Sequence, residues 1–144
     1  MDIDELIKKA MLEKNSARKE AYRAIKAEFL LINTGSKGIA PRPVAEEDEV
    51  KVVRKLIKER EEQVSMYEAN SRKDLADMYR EQMKYLKELL PPEISKEKIQ
   101  EAVTSAYPDG FSQKEMGKVI KEVKSIYPTA DGKLISEVVK KYIN

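Results

Sequence analysis

The chain has 144 residues, and Lys+Arg 28 against Asp+Glu 26 leaves a formal net charge of +2. That length makes one ordinary domain or two small helical ones, and so slight a surplus does not by itself demand a nucleic-acid partner. The sequence holds neither Cys nor His, which excludes disulfides, thiolate chemistry and cysteine metal sites. It also removes the commonest general base near neutral pH and the commonest metal ligand.

The N-terminus, "MDIDELIKKAMLEKN", has acids and lysines where a signal peptide needs an apolar core. No apolar run approaches the roughly 20 residues of a membrane helix, so a cytoplasmic protein without a membrane partner is expected. A first helix is predicted over about residues 3–13, with Ile3, Leu6, Ile7, Ala10 and Met11 on one side. Asn15 or Ser16 caps a second, running to about Ile32 with Tyr22, Ile25, Phe29 and Ile32 inward. The glycines and prolines of "NTGSKGIAPRPVA" predict a loop. Its Lys37 and Arg42 are open to a functional role, but a plain connection is the simpler reading.

Glu46, Glu47, Asp48 and Glu49 suit the N-terminus of a third helix over about residues 47–69, since the backbone dipole there favours negative charge. Val50, Val53, Ile57, Val64 and Tyr67 make its stripe, with Arg60 the one polar step. Ser71 with Asp74 reads as an N-cap pair for a fourth helix, about residues 72–89, striped by Leu75, Met78, Gln82, Leu86 and Leu89. Two long helices joined so tightly predict an antiparallel hairpin.

Pro91-Pro92 ends that hairpin and divides the chain into residues 1–91 and 92–144. Ser95 caps a fifth helix over about residues 96–106, with Ile99, Val103 and Ala106 inward. Ser112 and Glu115 form a capping box for a sixth, about residues 113–126. "YPTAD" turns the chain into a last helix, where Asp131 accepts from free backbone N–H groups and Gly132 is permissive at the turn. Leu134, Ile135, Val138, Val139, Tyr142 and Ile143 give it a broad apolar face. No alternating segment argues for a strand. The expected fold is all α, an N-terminal antiparallel helical bundle or hairpin followed by a small C-terminal three-helix bundle.

Gly132-Lys133 and Gly117-Lys118 raise the question of a phosphate loop. Such a loop needs a second glycine five residues earlier, Ser or Thr after the lysine, and a preceding strand; none is present. Gly117, inside the sixth helix, costs about 1 kcal/mol against alanine, which close approach of another helix would explain. Acids of the third helix, Glu59, Glu61 and Glu62, alternate with Arg54, Lys55, Lys58 and Arg60 as surface pairs. A di-metal carboxylate bundle needs Glu-x-x-His, and no motif marks Ser-Lys catalysis. No catalytic residue, metal site or cofactor is assigned.

Lysines concentrate late in the chain. Lys114, Lys118, Lys121 and Lys124 span an arc of roughly 120° on the sixth helix, opposite Met116, Val119, Val123 and Ile126. Lys133, Lys140 and Lys141 follow, so residues 112–144 carry seven lysines against four acids. A solvated face is one reading; contact with the phosphates of a folded RNA is the sharper one.

The segments "KKAMLEKNSARKEAYRAIKAEFLLIN", "DLADMYREQMKYLKELLPPEIS" and "KEMGKVIKEVKSIYPTADGKLISEVVKKYI" together resemble the GatB/YqeY family, in its free-standing YqeY-like form. The C-terminal part of that family is similar to the tail domain of the B subunit of the glutamine-dependent tRNA amidotransferase, a carbon–nitrogen ligase. In that enzyme the helical tail helps hold tRNA, while the chemistry lies in other parts of the complex. The resemblance implies a non-catalytic module that contacts tRNA or a protein of the tRNA-charging machinery. It points to Lys118, Lys133 and the neighbouring Gly117 and Gly132. The alternative is a protein–protein adaptor working through the long N-terminal helices, with Tyr67, Tyr79 and Tyr85 as anchors. Oligomeric state is left open.

Overall fold

The structure is a computed structural model that describes residues 1–144. Seven α-helices form, with no strand beyond the isolated bridges Ser36–Ile39 and Phe111–Ile143. They are α1 (Ile3–Leu12), α2 (Ser16–Thr34), α3 (Glu46–Ala69), α4 (Lys73–Glu88), α5 (Lys96–Ala106), α6 (Met116–Ile126) and α7 (Gly132–Lys140). The chain divides into two compact units, Met1–Leu90 and Pro91–Asn144.

In the N-terminal unit, Asp2 and Asn15 cap α1 and α2 by accepting from the backbone N–H groups of Glu5 and Arg18. The core joins Ile3 and Ala10 of α1, Tyr22, Ile25 and Phe29 of α2, Val52, Val53, Leu56 and Ile57 of α3, and Tyr85 and Leu86 of α4. Met11 lies outside it and is exposed. The α3–α4 hairpin enters this core with only part of its length. Its far end is held by α3 and α4 alone, where Tyr67 and Tyr79 stack at 5.6 Å with their rings 2° from parallel.

Tyr85 is a core residue and not an anchor for a partner. It is 8% exposed, and its hydroxyl accepts from Asn15 Nδ2 at 2.9 Å while the Arg18 guanidinium lies 4.3 Å from its ring. On α4, Ala76 is buried and Met78 is exposed, so the helix is rotated slightly from the stripe its large residues suggest. Gln82 is buried because Arg60 Nε donates to its Oε1 at 3.2 Å, which makes one polar layer inside the hairpin.

The N-cap of α4 is Arg72, not Ser71. Ser71 takes a left-handed φ of 59° in the turn, and Arg72 pairs with Asp74 instead. In the 35–45 loop, Arg42 grips Asp48 through both terminal nitrogens, one at 2.8 Å, so this loop arginine is structural. The Arg42 hydrogen bond, helped by the Ala45 N–H, pulls the Asp48 carboxyl down to about 2 against the opposing effect of burial.

The C-terminal unit has an apolar core made of Ile99 and Val103 of α5, Phe111 ahead of α6, Val119 and Val123 within it, Ala130, and Ile135, Val138 and Val139 of α7. Ala106 is exposed and not inward. The last helix stops at Lys140; Tyr142 and Ile143 follow as turn and bridge, and the Asn144 N–H donates to Phe111 C=O at 2.9 Å.

Candidate nucleic-acid interface

Burial of Val119 and Val123 fixes the rotation of α6, because both are at most 2% exposed in the core. Lys118 and Lys121 then fall outside the buried face, and both are exposed. Lys114 is exposed too, but it sits in a single 3₁₀ turn, Gln113–Glu115, that precedes α6. The Glu115 carboxylate accepts from the Ser112 hydroxyl at 3.0 Å and orders that turn. Ile126 does not join the apolar face as the spacing suggests; it is 57% exposed, and Ile120 packs on the core instead.

Lys124 differs from the other three. It is half-buried, and its Nζ donates to Ala130 C=O at 3.1 Å, so it closes the turn between α6 and α7. It leaves the candidate surface as a free cation. Lys133, at the start of α7, keeps an exposed side chain, while its backbone N–H is capped by Asp131 at 3.0 Å. Lys140 and Lys141 lie at the opposite end of α7, about 12 Å away along the helix axis.

Neither glycine contributes a close approach. A methyl group at Gly117 would meet nothing within 4 Å, which removes helix contact as the reason for that residue. Gly132 is the first residue of α7 without a left-handed φ, so the turn does not require it. Both are exposed beside the lysines.

Three of the four side-chain carboxylates in residues 112–144 are engaged away from the lysines, and the fourth, Glu137, acts on Lys141 without an ion-pair contact. The Tyr107 hydroxyl donates to Glu122 at 2.6 Å; that hydrogen bond and partial burial push the phenol up to about 12. Glu115 and Asp131 cap turns, as above. Lys114, Lys118, Lys121, Lys133, Lys140 and Lys141 have no carboxylate within ion-pair distance and face solvent.

One cation escapes sequence reading. Lys96, at the start of α5, meets Lys141, and this ammonium neighbour holds Lys141 below its ordinary pKa, with Glu137 opposing the shift. Their approach follows from the packing of α5 on α7, and nothing in residue spacing signals it.

No group of three or more acidic or metal-binding side chains converges as a metal site, and no helix is long and apolar enough to cross a membrane. A family model described as Yqey-like protein matches residues 1–143. No curated protein matches the chain.

Proposed function

Since the chain belongs to the YqeY-like family, we propose that it is a non-catalytic helical module that contacts tRNA through the lysines of its C-terminal unit. The observation that carries this reading is the set of six exposed lysines without carboxylate partners, Lys114, Lys118, Lys121, Lys133, Lys140 and Lys141. Charge is also unevenly spread within the unit. Residues 91–111 hold two lysines against four acids, whereas residues 112–144 hold seven against four. Such an asymmetry orients a polyanion toward one part of the unit.

Lysines supply point charges to phosphates without reading bases. Nor does the lysine set include an aromatic ring to stack an unpaired base: Tyr107 and Tyr127 are half-buried against the core. The contact suits the shape of a folded RNA better than a single strand. Bond-making chemistry on that RNA is assigned to other proteins, in keeping with a chain that has no His or Cys.

The test is a tRNA mobility shift measured across a salt series. The full chain binds with an affinity that falls steeply with salt. Changing Lys114, Lys118, Lys121 and Lys133 to Ala lowers affinity at least about tenfold. It also flattens the salt slope by roughly 0.7–0.9 for each phosphate that the variant no longer neutralises. Absence of binding by the unaltered chain near physiological salt overturns the proposal.

A further inference from the structure

Between α3 and α4 runs an open groove of about 590 Å³ lined by Glu61, Val64, Ser65, Arg80, Met83, Lys84 and Lys87. Only these two helices contribute to it. Val64 and Met83 are half-buried and form its floor. The α4 lip is basic: Arg80, Lys84 and Lys87 recur at four- and three-residue steps, spanning about 10 Å along the helix. Arg80 is already held by Glu68 and Asp77. Lys84 and Lys87 have no carboxylate within ion-pair distance; the Lys84 ammonium lies 5.7 Å from the centroid of the Tyr85 ring.

An apolar floor beside two unneutralised cations, Lys84 and Lys87, selects among partners. A nucleic acid gains nothing from Val64 and Met83, and the Glu61 carboxylate on the α3 lip repels phosphate. A helix with an apolar stripe fills the floor, as third helices do on helical hairpins. Acidic residues along one flank of that stripe, three or four apart, match Lys84 and Lys87, which are three apart. We infer that this groove docks a partner's amphipathic helix whose apolar stripe is bordered by Asp or Glu. The surface belongs wholly to the N-terminal unit and does not depend on RNA contact by the lysines of the other.

The probe is a fluorescein-labelled helical peptide of about 18 residues, roughly five turns, with leucines at three- and four-residue steps and a glutamate flank. Its counterpart carries lysine in place of each glutamate. Fluorescence anisotropy with the full chain should show saturable binding of the glutamate peptide and at least about tenfold weaker binding of the lysine peptide. In the double variant Lys84→Glu, Lys87→Glu that preference reverses, while circular dichroism keeps its helical signal. Val64→Ser weakens both peptides. Overturning results are no saturable binding, equal affinity for the two peptides, or a preference indifferent to the charge reversal. If the double variant instead loses tRNA binding, and the glutamate peptide does not bind, the groove is a nucleic-acid surface and the inference fails.

Discussion

The two units use charge in opposite ways. In residues 1–90 cations and anions close on one another: Arg18 reaches Glu13 and Glu88, Lys55 reaches Glu28, Lys26 reaches Asp4, and Arg42 reaches Asp48. In residues 91–144 the carboxylates of Glu122, Glu115 and Asp131 are engaged by a tyrosine hydroxyl, a serine hydroxyl and a backbone N–H, and the lysines are left over. Similar composition therefore gives one unit a surface tied together by ion pairs and the other a surface of uncommitted cations over an apolar core. Surface pairs contribute little to stability. What differs is extent: the first unit leaves Lys84 and Lys87 unpaired beside one groove, whereas the second leaves six such lysines within residues 112–144.

The comparison is broken most severely through the apolar core of the second unit. Ile135→Ala removes a fully buried side chain from α7 and should cost about 3 kcal/mol. Hydrogen exchange of amides in residues 91–144 reads this as lost protection. Protection unchanged from that of the unaltered chain would mean that the core is not what holds this unit.

A smaller effect tests the polar ties of the first unit. Asp48 has its carboxyl pulled to about 2 by Arg42, below the roughly 3.9 of an unfolded chain. A depressed folded value contributes stability that is full above the unfolded value and disappears as pH falls through the folded one. Asp48→Asn should cost about 1–2 kcal/mol at pH 7, allowing for the half-exposed arginine, and most of that difference should be gone by about pH 2. Urea unfolding at pH 7, 4 and 2 follows it; a pH-independent difference would place the effect in packing.

The smallest effect has the opposite sign. Gly117→Ala meets open space in α6 and should stabilise by about 0.5 kcal/mol. Gly110→Ala should destabilise, because Gly110 has φ of 81° and a methyl there would lie 2.8 Å from Tyr142 C=O. Thermal melts of the pair separate a tolerated glycine from a required one.

Helix positions were legible because apolar residues recur at helical spacing and Asn15, Ser95, Ser112 and Asp131 mark the starts. What escaped depends on neighbours distant in sequence. Ile126 lies on the correct side of α6 yet beyond the reach of a packing partner, so its spacing misleads. Tyr85 looks like an exposed aromatic until Asn15 and Arg18, roughly seventy residues earlier, close around it. Gln82 reads as a flaw in an apolar stripe until Arg60 meets it. On the candidate surface, spacing located the lysines, but it did not separate Lys124, which bonds to a backbone carbonyl, from its free neighbours. Nor did it bring Lys96 to Lys141.

The stacked phenols of Tyr67 and Tyr79 give the hairpin an optical signature of its own. The chain has no tryptophan, so near-ultraviolet dichroism comes from tyrosine with only two phenylalanines behind it. Two parallel rings 5.6 Å apart couple their transitions strongly. Any event that pries the tips of α3 and α4 apart is therefore visible without a dye or a label.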